Sequence, residues 1–173
     1  MLDHIELNEI IENLIAKITE EITCANRMGN LDEVLKRYNY QVDETAYYER
    51  NIAKILVIGG SEVKVNSLKK VIKAHNIDIS RFEFILDYNE ASIFPMNTLK
   101  NNPKYCDIFM GPIPHKTKGM GNCNSIISEI EHNKSEYPKL TKLIASNELK
   151  ITKNSFEQAL LNSVLYKEIL NSY

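Results

Sequence analysis

Tryptophan is absent from this 173-residue chain, glycine and cysteine are scarce, and neither sign of charge dominates. No apolar run approaches the roughly 20 residues needed to span a bilayer, which argues against a membrane helix. Cys24, Cys106 and Cys123 are widely spaced and form no CxxC. That pattern argues against a zinc ribbon or a disulfide scaffold, and for reduced thiols in a cytoplasmic protein. The missing tryptophan excludes little, because 43% hydrophobic residues are ample for a core. Lys and Arg number 21 against 23 Asp and Glu, a formal charge of −2. The global basic field of a nucleic-acid coat is therefore lacking, and nucleic acid is not an expected partner. The first residues are acidic and amphipathic rather than basic and then apolar, so no signal peptide is read there. Neither GxGxxG nor GxxxxGK[ST] occurs; Lys116-Thr117 has the right dipeptide, but His115 stands where the preceding glycine should be. No His, Cys and Asp cluster has metal-ligand spacing, so neither a metal nor a cofactor is expected.

What is present divides the chain into a helical arm, residues 1–50, and an α/β domain, residues 51–173. From about Asp3 to Ala25, Leu7, Ile11, Leu14 and Ile18 alternate steps of four and three, and Ile10, Ile15 and Ile22 widen the stripe. Glu6, Glu9, Glu12, Lys17, Glu20 and Glu21 mark the other face, and Gly29-Asn30 ends the helix. A shorter helix is expected from Leu31 to about Tyr38, before a tyrosine-rich connection through Tyr40, Tyr47 and Tyr48. Such an arm either packs on its own domain or pairs with a second copy; a homodimer is the expected assembly, although two heptads are short for a coiled coil.

From Lys54 the period changes. Lys54 to Ile58 is a continuous aliphatic run that ends in Gly59-Gly60-Ser61, as a central parallel strand entering a tight turn does. A helix is expected from about Glu62 to His75, a second strand over Arg81 to Leu86, and a poorly patterned stretch with Pro95 and Pro103. A third strand, Cys106 to Met110, leads into a loop from Gly111 to Gly121. A helix over Ser125 to His132, a fourth strand over Leu140 to Ile144 and one closing helix from Ser155 follow. Asn154-Ser155-Phe156-Glu157 reads as the capping box of that last helix. Alternation of this kind predicts a small Rossmann-like, three-layer α/β domain with a four-stranded parallel sheet in the order 2-1-3-4.

Ligands of such sheets bind beyond the carboxyl ends of the strands, where the order reverses. The exits of strands 1 and 3 flank that point, which brings Gly59, Gly60 and Ser61 beside Gly111. The first segment offers close backbone approach and the N–H groups of a helix start to an anion. The second adds charge at Lys116 and Lys118, a hydroxyl at Thr117, an imidazole at His115 and flexible backbone at Gly119 and Gly121. Asp87, at the end of strand 2, is the candidate for sugar hydroxyls, with Tyr88 as a stacking surface; ordinary turn chemistry accounts for Asp-Tyr-Asn equally well. These residues point to non-catalytic binding of a nucleotide or another phosphorylated small molecule. The alternatives are a phosphoesterase with His115 as general acid or base, and a protein-interaction module.

The opening Ile55-Leu-Val-Ile-Gly-Gly60, the strand Cys106-Asp107-Ile108-Phe109 and the segment Leu140 to Leu161 resemble a family of short bacterial Rossmann-like domains of unknown function that carry helical segments ahead of the domain. The resemblance covers about residues 54–161 and implies the fold. Where the family pattern has aspartate, cysteine and histidine in the loop, this chain has Gly111 to Gly121.

Overall fold

The computed structural model describes residues 2–41, 53–113 and 126–171. The chain forms two compact units, Met1–Glu49 and Arg50–Tyr173.

The first unit is built on α1, His4–Met28. Asp3 caps it, its Oδ1 accepting from the N–H groups of Ile5 and Glu6, while Glu6 reaches back to the Asp3 N–H. These three hydrogen bonds satisfy donors that the first helical turn leaves unpaired. Gly29 ends the helix in the left-handed region at φ 77°, which glycine adopts without a Cβ penalty. The chain turns back into α2, Leu31–Arg37. Arg37 pairs with Glu21, and the Tyr38 hydroxyl donates to the same carboxylate at 2.6 Å. The Tyr38 bond, with Arg37 behind it, holds the Glu21 carboxyl below its ordinary range. These contacts lie in the C-terminal half of α1, and every residue from His4 to Lys17 is exposed.

The second unit has a four-stranded parallel sheet in the order β2-β1-β3-β4: β1 Lys54–Ile58, β2 Phe82–Ile85, β3 Tyr105–Met110 and β4 Lys139–Lys142. This is the expected fold and strand order. In-register pairs Ile58–Ile85 and Ile58–Met110 bring the ends of β2 and β3 level with that of β1. The sheet is covered on both faces, as its lack of polar alternation requires. One face buries Ile55, Val57 and Phe109 against α3 (Val65–Ala74), α6 (Lys153–Leu161) and α7 (Val164–Asn171). The other buries Leu56, Ile58, Ile108 and Met110 beneath α4 (Tyr88–Ile93), a 3-10 turn at Met96–Leu99 and α5 (Ile126–His132).

The structure corrects four expectations. The poorly patterned stretch after strand 2 contains α4, capped by Asp87. The fourth strand stops at Lys142, and a two-stranded antiparallel hairpin, β5 Ile144–Ala145 and β6 Glu148–Leu149, follows it. Its two turn residues, Ser146 and Asn147, lie at φ 54° and 65°, as a two-residue hairpin turn of the right twist demands. The capping box of the last segment is formed by Thr152 and Ser155, not by Asn154 and Glu157, and its helix begins at Lys153. The expected single closing helix is two, divided at Asn162-Ser163. There the buried Ser163 hydroxyl donates to the Leu160 carbonyl at 2.7 Å and accepts from the Tyr166 N–H at 3.0 Å. Asp107, from the centre of β3, accepts from the Val164 N–H at 2.8 Å. Side chains thus supply acceptors to the first N–H groups of α7, a role that a continuous helix would not need.

Candidate functional site

The exits of β1, β2 and β3 meet at one end of the sheet. Gly59 has φ 136°, and a Cβ there would lie 2.7 Å from the Gly111 carbonyl carbon and 2.9 Å from the Pro112 carbonyl oxygen. Glycine is therefore the residue that lets the first strand leave the sheet directly against the third. A Cβ on Gly111 would collide with the Ile151 side chain, and one on Gly60 would lie 2.9 Å from the Tyr88 ring. Close packing accounts for all three glycines.

Backbone hydrogen bonds complete this seam. The Gly59 N–H donates to the Ile85 carbonyl at 3.0 Å, Gly60 to Pro112 at 2.7 Å and Ser61 to Leu86 at 3.0 Å. The Ser61 hydroxyl accepts from the Val63 N–H at 3.0 Å, closing a local turn. Helix α3 starts at Val65, not Glu62, so several residues separate its N-terminus from the glycines. The donors at residues 59–61 therefore join the strand exits to one another.

Above the seam lies a cleft of about 430 Å³ lined by Gly60, Ser61, Glu62, Asp87, Tyr88, Pro112, Leu149 and Lys150. The Asp87 Oδ1 accepts from the N–H groups of Asn89 and Glu90 at 2.8 and 3.0 Å. Its Oδ2 takes no hydrogen bond among the described residues and so keeps acceptor capacity. Tyr88 is half-exposed and offers a ring against Gly60. Lys150 is exposed and enters no ion pair among the described residues; its N–H is held by the Leu143 carbonyl at 2.8 Å. The cleft thus joins an acceptor suited to hydroxyls, an aromatic face and a cation.

The structure brings Gly59, Gly60, Ser61, Asp87 and Gly111 together, as the topology predicts. His115, Lys116, Thr117, Lys118, Gly119 and Gly121 lie outside the described residues, as does Cys123. Lys150, Leu149 and Ile151 escaped the sequence reading because the β5–β6 hairpin carries them there. The signal that could have found them is Ser146-Asn147, a turn-forming pair between the apolar Leu143-Ile144-Ala145 and the alternating Glu148-Leu149-Lys150-Ile151.

A larger cavity, about 850 Å³, runs beside Thr141, Lys142, Ala145, Thr152, Ser155 and Gln158. It lies along the outer strand of the sheet rather than at the reversal of strand order, and Thr152 and Ser155 are engaged in capping α6. The smaller cleft has the better-placed chemistry. Among the described residues, no group of three His, Cys, Asp or Glu side chains is arranged to hold a metal ion, and no helix is long and apolar enough to cross a membrane. Comparison with protein-family models, with curated proteins and with solved structures finds no match to this chain.

Proposed function

We propose that the chain binds a nucleotide or another phosphorylated small molecule, without transforming it, in the cleft beyond the carboxyl ends of β1, β2 and β3. The observation that carries this reading is the cleft's position at the reversal of strand order, with Asp87, Tyr88 and Lys150 around it. Asp87 accepts from sugar hydroxyls through Oδ2, and Tyr88 covers a planar base. Because the backbone donors of residues 59–61 already have partners, phosphate charge falls to Lys150. Lys116, Thr117 and Lys118, which the sequence offers for the same charge, lie outside the described residues. A binding role rather than a reaction is favoured by Ser61, whose hydroxyl is tied into its own turn and faces no paired base among the described residues. The free thiols of Cys24 and Cys106 fit a reducing cytoplasm.

Titration calorimetry with nucleoside mono-, di- and triphosphates tests the reading. Wild-type protein is expected to bind at least one of them. Tyr88→Ala and Asp87→Asn should each weaken binding about tenfold or more, the loss of one stacking or charged contact. Asparagine caps helices as well as aspartate does, so Asp87→Asn should leave the fold intact. A wild-type protein that binds none of the panel, and releases no phosphorylated compound on denaturation in mass spectrometry, would sink the proposal.

A further inference from the structure

The N-terminal half of α1 exposes five large aliphatic side chains on one face. Leu7, Ile10, Ile11, Leu14 and Ile15 are 42–59% exposed. Their spacing puts them on a stripe that continues through Ile18 and Ile22 toward the half packed by α2. Together they present on the order of 500 Å² of apolar surface, more than a soluble monomer ordinarily leaves in one contiguous patch.

We propose that this stripe pairs with the same stripe of a second copy, the two helices running antiparallel. Size is the first argument. A pair can bury up to about 1,000 Å², the lower bound for a biological interface. Charge is the second. Asp3, Glu6, Glu9 and Glu12 lie in the first half of the helix, whereas the second carries Lys17, exposed and without an ion pair among the described residues, with Glu20, Arg27 and a Glu21 already paired with Arg37. A parallel pair would align four carboxylates with four carboxylates. The antiparallel pair instead sets the acidic half of each copy along the less acidic half of the other, where Lys17 offsets Glu20 and Arg37 offsets Glu21, and opposes the two helix dipoles. The same charges disfavour an anionic membrane surface, which recruits helices whose polar face is basic. With the helices centred between Ile11 and Leu14, Leu7 of one copy meets Ile18 of the other, and Ile11 meets Leu14.

Sedimentation velocity on the full chain reads the assembly. Wild-type protein is expected to be a dimer in the micromolar range, and Leu14→Glu should raise the dissociation constant at least about 100-fold by placing a carboxylate at the centre of the pair. Leu14 is exposed in the single chain, so the variant should retain its circular dichroism and melting transition. In a mixed sample of methyl-labelled and unlabelled copies, isotope-filtered NOEs should connect Leu7 with Ile18. A wild-type monomer, or a dimer that Leu14→Glu leaves unchanged, overturns the pairing. Contacts between Leu7 and Leu7 overturn the antiparallel arrangement.

Discussion

Asp107 sits at the middle of a central strand with no exposed surface, and one of its carboxylate oxygens has no hydrogen-bond partner among the described residues. Burial pushes its pKa above the ordinary carboxylate value, against the opposing pull of the Val164 N–H and Lys139. The folded protein therefore keeps a proton that the unfolded chain releases. The stability linked to this group is complete below the unfolded value, near pH ~4, and declines as pH rises toward the folded one. Asp107→Asn retains an oxygen for Val164 and carries no charge. The variant should gain on the wild type as pH rises above ~4, by at most about 1.4 kcal/mol per pH unit, in urea titrations at a series of pH values. Parallel pH profiles for the two proteins would refute the linkage. The neighbouring Cys106 thiol, pushed up to about 12 by burial and then by the Asp107 charge, is held as an inert thiol.

Among the elements, the β5–β6 hairpin is the one on which the cleft depends and the one its sequence least announces. Two-residue strands carry no periodicity, so the pattern that exposes β1 and β3 as buried runs has nothing to act on. Helix α4 escapes for the same reason, since six residues are fewer than two turns. The division between α6 and α7 escapes for a different one. It depends on Asp107 accepting from Val164, a contact 57 residues apart in the sequence, and no local window contains it. What local windows do contain reads well: four strands, the first three ending where glycine or aspartate follows, and therefore where the cleft lies. They do not reveal that the glycine N–H groups bond across the strand exits, because those acceptors come from other strands. The hairpin itself offers a test. Ser146 and Asn147 both hold left-handed backbone, which Asn-Gly adopts more readily. The double substitution Ser146→Asn, Asn147→Gly should stabilise the protein by about 0.5–1 kcal/mol, seen as a higher melting temperature. A lower melting temperature would count against this turn geometry.

For the whole molecule, binding and assembly involve different residues and should separate under mutation. A ligand that binds only the folded state raises its stability by about 2.7 kcal/mol at a hundredfold excess over Kd. In thermal shift measurements, Tyr88→Ala should lose this gain and Leu14→Glu should keep it. A gain that disappears in Leu14→Glu would tie the two properties together. The seam between Gly59 and Gly111 has a consequence for how such a protein can change over evolutionary time. Positions up to Pro112 answer to packing, because the first strand can leave the sheet only where a neighbouring backbone lies bare against it. Ile113 extends that demand by packing on the core of the other sheet face, so the exit of the third strand is anchored through residue 113. An exchange at Gly59 or Gly111 must therefore be met by a change in the backbone or side chain it faces, so the two strand exits can alter only together.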